Sequence, residues 1–167
     1  MKEPVLHSES DLAEQFRLEE FLPYGLSVAS DGVSRMIARR YLGQFGLGMP
    51  EWRLLAVVGR HGVLSPTEAG DRTSMDKVKV SRAAASLVGR GLLRQSRDPD
   101  DGRGRLMRLT RKGMTVYTSI APTGEQIEKT LSACMTRSEW LALHKTLAKL
   151  INHTHSLLEQ ETATNRH

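Results

Sequence analysis

The sequence predicts a mainly α-helical chain with one small β-hairpin, arranged as a winged helix-turn-helix domain plus a dimerisation region of terminal helices. Three features of the 167 residues predict this class. A short capped helix is followed by a second helix with a slim, basic outer face. Two strand-like segments then flank a turn rich in Asp and Gly. Long segments on either side repeat apolar residues every three or four positions, as amphipathic helices do.

The first long helix is predicted to begin at Tyr24, because apolar residues recur every four positions along it. Gly46 and Gly48 end this helix. Pro50 opens the second helix, at a position where the missing N–H of proline is not needed. The His-Gly pair at 61–62 ends that second helix.

The helix-turn-helix is predicted to start at Ser65, which forms a capping box with Glu68 and opens a short helix that ends near Arg72. The next helix runs from about Asp76, and Gly91 caps its end. Its inward-facing residues are predicted to be Val80, Ala83, Ala84 and Leu87.

The hairpin is predicted from two short strands, Leu92–Arg97 and Arg103–Thr110, which the turn DPDDG joins. Thr110 then caps a fifth helix that runs to about Met135. Pro122 lies inside this helix and should kink it.

The last helix opens at a capping box of Thr136 with Glu139, and its apolar residues are spaced by three and four. A small central domain cannot cover the apolar stripes of the terminal helices, so we expect a second copy of the chain to cover them. The predicted division is an N-terminal arm and first dimerisation helix over residues 1–48, a winged helix-turn-helix DNA-binding region over 49–112, and C-terminal dimerisation helices over 113–167.

Positive charge is concentrated in one segment. The net charge is +5, and residues 71–112 carry 12 Lys and Arg against 5 Asp and Glu, whereas the remainder carries 12 against 14. Such a segment is typical of proteins that bind nucleic acid, although on charge alone a solvated charged face is the favoured interpretation, because such faces are common. Without an apolar run, a secretory leader or a second cysteine beside Cys134, we expect a cytoplasmic protein with no disulfide.

Catalytic patterns point to no enzyme. The sequence contains no GxSxG, no GxxxxGK[ST] and no HExxH, and its GLGMPE segment lacks the third glycine of a dinucleotide-binding loop. We therefore expect no catalytic residue, no cofactor and no bound metal.

The second helix of the helix-turn-helix is the predicted recognition helix, because its outer face is narrow enough for the ~12 Å major groove. Arg82 can bind a guanine edge, and Val78 can meet a thymine methyl group. Base edges or phosphates can be bound by Ser81, Lys77 and Lys79. The free N–H groups at Ser65 and Thr67 suit a phosphate, or they are simply capped.

The hairpin tip adds two arginines, Arg103 and Arg105, that suit the negative potential of a narrow A·T minor groove. Asp98, fixed beside Pro99, is predicted to stiffen the tip by bridging an arginine. The predicted DNA-binding residues are Ser65, Thr67, Lys77, Val78, Lys79, Ser81, Arg82, Arg103 and Arg105, with Asp98 as wing support.

The segment MDKVKVSRAAASLVGRGLLRQSRDPDDGRGRLMRLTRKG resembles the MarR (multiple-antibiotic-resistance regulator) family. The family's ordered motifs correspond to Asp76–Arg82, Arg90–Leu93, Asp98–Arg103 and Leu106–Gly113. This resemblance, over roughly residues 20–155, implies a winged-helix homodimer that binds double-stranded DNA at an inverted-repeat operator. The small-residue run AAASLVG departs from the family, where bulkier or charged residues are frequent, which puts phosphate contacts on that side in doubt.

The segment FLPYGLSVASDGVSRMIARRY resembles a branch of this family that controls aromatic-acid catabolism. That branch senses phenolic acids or their CoA thioesters, which implies a repressor released by such a ligand. The family's effector position implies a site at Tyr24, Ser27, Trp52 and His61, where Tyr24 and His61 would donate hydrogen bonds and Trp52 would stack on a ring. Core packing of Trp52 and a plain surface turn at His61 remain alternatives.

Two other functions stay open. One is a non-specific architectural protein that binds nucleic acid. The other is a regulator gated by a thiol or a metal, which would use Cys134 or the pair His153 and His155. Cys134 is expected on the apolar seam of the fifth helix, where a thiol is buried and inert. Two histidines two positions apart on a helix do not share a face.

Overall fold

Helices and strands follow one another in the predicted order in the computed structural model, which describes residues 16–99 and 104–164. A short 3-10 helix, Leu18–Glu20, precedes the first α-helix. The elements of the described residues are α1 Leu22–Phe45, α2 Met49–His61, α3 Pro66–Thr73, α4 Lys77–Gly89, β1 Leu93–Arg97, β2 Arg105–Leu109, α5 Arg111–Ser132 and α6 Arg137–Thr164. The predicted class, mainly α with a β-hairpin wing, is therefore confirmed.

Local signals set most of the helix ends. Gly46 has φ 62° and ends α1, because only glycine adopts this left-handed backbone without strain. Ser65 Oγ accepts a hydrogen bond from the backbone N–H of Glu68 at 3.2 Å, and the Glu68 carboxylate accepts one from the N–H of Ser65 at 2.8 Å. Thr136 and Glu139 form a second such box before α6. The predicted capping boxes are confirmed.

The core of the helix-turn-helix lies between α2 and α4. Leu54, Leu55 and Val58 of α2 have no exposed surface. Met107 of β2 is equally buried and joins the hairpin to this core. The four α4 residues predicted to face inward are all buried, which confirms them: Val80, Ala83, Ala84 and Leu87.

The hairpin is bonded to the rest of the domain through its backbone. Leu64, which precedes α3, donates its N–H to Met107 O at 3.2 Å and accepts from Met107 N at 2.8 Å. Within the hairpin, the antiparallel register pairs Leu93 with Leu109 and Arg97 with Arg105. β1 begins one residue later than predicted and ends where predicted, whereas β2 begins two residues later and ends one residue earlier than predicted.

The chain divides into two compact units, Met1–Thr118 and Ser119–His167, so the boundary falls within α5. Pro122 lies inside this helix, as predicted. In the second unit Ile120 and Ile127 are buried, whereas α6 buries no residue.

Helix α1 is long but weakly covered. Tyr41 is its one buried residue among the described part of the chain. Three glycines lie inside it, Gly25, Gly32 and Gly43, and a Cβ built at any of them would meet no atom within 4 Å. A helix with this composition has low intrinsic stability.

The prediction for Cys134 was wrong. Helix α5 ends at Ser132 and not near Met135, so Cys134 lies in the turn before α6 and is exposed. Its thiol donates to Leu131 O at 3.4 Å. Across residues 16–99 and 104–164, no helix combines the length and the apolarity needed to cross a membrane.

Candidate nucleic-acid interface

Helix α4 presents the predicted slim face to solvent. Val78, Ser81, Arg82 and Ala85 are all exposed on it. Arg82 has no hydrogen bond or ion pair within the described residues. Its guanidinium is therefore free to bind an external acceptor, and a planar fork of N–H donors matches O6 and N7 of guanine.

The two lysines at the start of α4 differ in their surroundings. Lys77 is exposed. Lys79 Nζ lies 3.0 Å from Asp76 Oδ2, and its backbone N–H donates to Asp76 Oδ1 at 2.8 Å. That backbone hydrogen bond is the main reason that the pKa of Asp76 lies below its usual value. A phosphate contact by Lys79 would compete with Asp76, so Lys77 is the more available cation.

The start of α3 is capped from within the chain. The Ser65 hydroxyl donates to Glu68 Oε2 at 2.9 Å while it accepts from the backbone N–H of Glu68. The Ser65 backbone N–H lowers the pKa of Glu68, so this carboxylate is charged at neutral pH. An anion beside the helix start disfavours a phosphate there. Thr67 is exposed, and its contact with DNA stays a prediction.

The hairpin register reveals arginines that the sequence interpretation missed. Arg94 lies directly opposite Arg108, and Arg97 directly opposite Arg105, so two like-charged pairs face each other across the strands. All four side chains are exposed. Opposed like charges destabilise a hairpin unless an external anion offsets them. The alignment of the two strands was the signal that could have identified Arg94, Arg97 and Arg108.

The tip of the wing is described in part. Arg103 lies outside the described residues, so its predicted contact stays a prediction. Asp98 donates its backbone N–H to Gly104 O at 3.0 Å, which closes the base of the tip. Arg105 donates to Gln95 Oε1 at 3.3 Å, and this cross-strand hydrogen bond orients its guanidinium. The bridge predicted for the Asp98 carboxylate stays a prediction.

Comparison with known proteins agrees with this geometry. A sequence model of the MarR family matches residues 45–104, which include α2, α3, α4 and β1. A solved structure of a probable transcriptional regulator from Pseudomonas aeruginosa is 26% identical, with a TM-score of 0.71 over 80% of this chain and 99% of that one. Over residues 45–104 the chain is thus similar to the MarR family. Its fold is the winged helix-turn-helix of the solved structures that it resembles.

Two further proteins are similar to this chain over most of their length. YdgJ of Bacillus subtilis (strain 168), an uncharacterised HTH-type transcriptional regulator, is 24% identical over 75% of this chain and 77% of its own. BpsR of Bordetella bronchiseptica, whose DNA binding is regulated by 6-hydroxynicotinic acid, is 23% identical. Its structure matches with a TM-score of 0.72 over 77% of this chain and 97% of that one, which shows the shared fold.

The four predicted effector residues do not converge within the chain. Tyr24 and Ser27 are exposed near the start of α1. Trp52 of α2 stacks on Tyr41 with ring centroids 4.9 Å apart. Tyr41 lies seventeen positions after Tyr24 in the same helix, a distance of about 25 Å along the axis. His61 is exposed at the far end of α2.

The Tyr41–Trp52 stack joins a buried tyrosine to a partly buried tryptophan. Burial raises the pKa of the Tyr41 phenol, and the neighbouring Trp52 indole opposes this shift in part. Trp52 Nε1 is nonetheless buried without a well-formed hydrogen bond in the described residues. The stack agrees with the alternative of a packing role for Trp52, and its contact with an effector stays a prediction.

A shallow groove on α1 was not foreseen. It has a volume of about 370 Å³ and is lined by Gly32, Met36 and three arginines, Arg35, Arg39 and Arg40. None of these arginines forms an ion pair within the described residues. Like charges one turn apart, such as Arg35 and Arg39, destabilise a helix by a few tenths of a kcal/mol. An anion bound in the groove would offset that repulsion.

Candidate metal ligands are dispersed. In residues 16–99 and 104–164, no three His, Cys, Asp or Glu side chains are arranged to hold a metal ion.

Proposed function

We propose that the chain is a ligand-responsive repressor that binds an inverted-repeat operator as a homodimer. The exposed face of α4 carries this proposal, because it combines a free arginine with small residues that let the helix enter a major groove. The arginine-rich hairpin supports it, since its paired like charges favour a polyanion. We also propose that the chain divides into residues 1–48, 49–112 and 113–167. We propose that the protein is located in the cytoplasm, where such an operator lies.

The effector that we propose is an aromatic acid or its CoA thioester, which would relieve repression of an aromatic-compound catabolic operon. Both ligand types are anionic, and the groove at Arg35, Arg39 and Arg40 supports an anion near α1. The regulation of the relative BpsR by 6-hydroxynicotinic acid is compatible with this class. Tyr24, Ser27, Trp52 and His61 remain the proposed effector residues.

Homodimerisation is proposed from the uncovered apolar residues. Leu143 and Leu147 of α6 are 38% and 36% exposed, although their spacing is that of a buried stripe. Phe21 and Leu22, where α1 begins, are 45% and 66% exposed. Apolar surface of this extent on a small protein marks an interface.

The proposal predicts strong sequence preference. From a randomised duplex library the chain should select one inverted repeat, with half-site centres about 10 bp apart or a small multiple. It should bind this operator at least ~10³-fold more tightly than a scrambled duplex at physiological salt. Gel shifts then measure release by 6-hydroxynicotinate, 4-hydroxycinnamate and 4-hydroxycinnamoyl-CoA, with CoA alone as the control.

The competing functions give different results in the same assay. A non-specific architectural protein would bind selected and scrambled duplexes within a few-fold of each other. A thiol- or metal-gated regulator would release the operator on treatment with peroxide or a chelator and would ignore the aromatic acids. Either result would contradict the proposal.

A second prediction concerns the dimer. Leu147→Glu should convert the dimer to a monomer, because a buried charge without a partner is strongly unfavourable. Asn152→Glu adds the same charge on the opposite side of α6 and should leave the dimer intact. Light scattering measures the mass of each variant. A dimeric Leu147→Glu variant would show that α6 does not form the interface.

A further inference from the structure

Arg90, which follows the recognition helix, binds the end of α1. Its guanidinium donates from Nη2 to Phe45 O and from Nη1 to Gly46 O, both at 2.8 Å. These are carbonyls of the last α1 residue and its cap. A cation at this position also interacts favourably with the helix dipole. The end of α4 is thus fastened to α1 by two charge-assisted hydrogen bonds.

Glu51 extends this connection to the start of α2. Its Oε2 accepts the backbone N–H of Gly48 at 2.7 Å and lies 4.0 Å from Arg90 Nη1. Its Oε1 accepts a hydrogen bond from the Ser86 hydroxyl, one turn before Arg90 in α4. The Glu51 side chain is only 19% exposed, so these contacts are shielded from solvent.

The start of α5 contacts the same end of α4. Lys112 Nζ donates to Arg90 O at 3.1 Å, and Thr110 Oγ1 donates to Gly91 O at 2.6 Å. Three residues at the end of the recognition helix, Ser86, Arg90 and Gly91, therefore contact the end of α1, the start of α2 and the start of α5. We call Glu51, Ser86 and Arg90 the α4 anchor.

We propose that Arg90 is a positioning residue for operator recognition. By holding the end of α4 against the end of α1, it fixes the angle at which the exposed α4 face is presented. This inference rests on the proposed operator binding. The two terminal nitrogens of its guanidinium, Nη1 and Nη2, already donate to carbonyls, which leaves Arg90 poorly placed to bind a phosphate itself.

The test compares Arg90→Lys with the parent chain. Lysine keeps the charge but lacks the planar fork that reaches two carbonyls. The variant should bind the operator selected by the parent roughly 5- to 30-fold more weakly, the loss expected for one charged hydrogen bond. Binding to a scrambled duplex and the salt dependence of binding should not change. The variant should also discriminate less by half-site spacing. When one base pair is inserted or removed between the half-sites, its affinity should fall by a smaller factor than the parent's.

Two other variants make the test decisive. Ser86→Ala removes one anchor contact with no change of charge, so it should show the same selective loss even if Arg90→Lys folds poorly. Arg60→Lys changes an exposed arginine of α2 in the same way and should bind as the parent does. Thermal unfolding is recorded for every variant.

Three outcomes would overturn the inference. Equal losses for operator and scrambled duplex, with a salt slope lower by about one, would make Arg90 a phosphate contact. A lower unfolding temperature with unchanged operator affinity would make the anchor purely structural. Unchanged affinity and spacing preference would remove any role. If the parent selects no operator at all, the proposed function fails. If the parent selects an operator and the Arg90 and Ser86 variants show one of the three outcomes above, only the inference about Arg90 fails.

Discussion

Gly113→Ala should lower the free energy of unfolding by about 3 kcal/mol or more. A Cβ at this position would stand 1.9 Å from Leu92 O and 2.9 Å from Leu92 C. Both are backbone atoms, which cannot rotate away as a flexible side chain would. The Leu92 carbonyl is held in place because it accepts the Thr110 N–H at 3.0 Å. The substitution must therefore separate α5 from the segment that follows α4.

Chemical denaturation measures this effect as a lower midpoint with an unchanged slope. Gly89→Ala is the matched control, because a Cβ at Gly89 would meet no atom within 4 Å. That variant should be as stable as the parent, or more stable by up to about 1 kcal/mol, since alanine favours a helix over glycine. Equal midpoints for Gly113→Ala and the parent would show that α5 does not approach Leu92 this closely.

Arg82→Ala should weaken binding to the selected operator by about 1–3 kcal/mol and relax the preference at one base pair of each half-site. Arg82 is exposed at the middle of the α4 face and forms no ion pair with any residue that the structure describes. Affinity for a scrambled duplex should fall only by the small amount that the loss of one positive charge causes. Arg60→Ala removes the same charge from α2 and serves as the control.

Fluorescence anisotropy with operators substituted at single base pairs measures this relaxation. A uniform loss across all sequences, accompanied by a smaller salt slope, would indicate that Arg82 binds a phosphate and not a base. Unchanged operator affinity would contradict the assignment of α4 as the recognition helix.

Local sequence signals were sufficient for much of the fold. The Ser65–Glu68 box and the glycine at position 46 act within a few residues, so their effect is visible without a structure. The inward face of α4 followed from helical period alone, because Val80 and Leu87 lie two turns apart on one side. The helix end near Cys134 was missed because no glycine or proline marks it.

The candidate site was predicted less completely, for a physical reason. The opposed arginines at 94 and 108 depend on strand register, and the role of Arg90 depends on contacts with residues more than 40 positions away. No periodicity encodes such pairings. The effector residues came from resemblance and not from packing, and the Tyr41–Trp52 stack was not anticipated.

The three open glycines of α1 have a thermodynamic consequence. Each weakens the helix by roughly 0.8–1.0 kcal/mol relative to alanine, and little burial within one chain offsets this. The order of α1 must then come from whatever surface lies against it. In a chain that pairs as proposed, winding of this helix and association of two copies form a single equilibrium, so dilution would loosen α1 at the same time as it separates the copies.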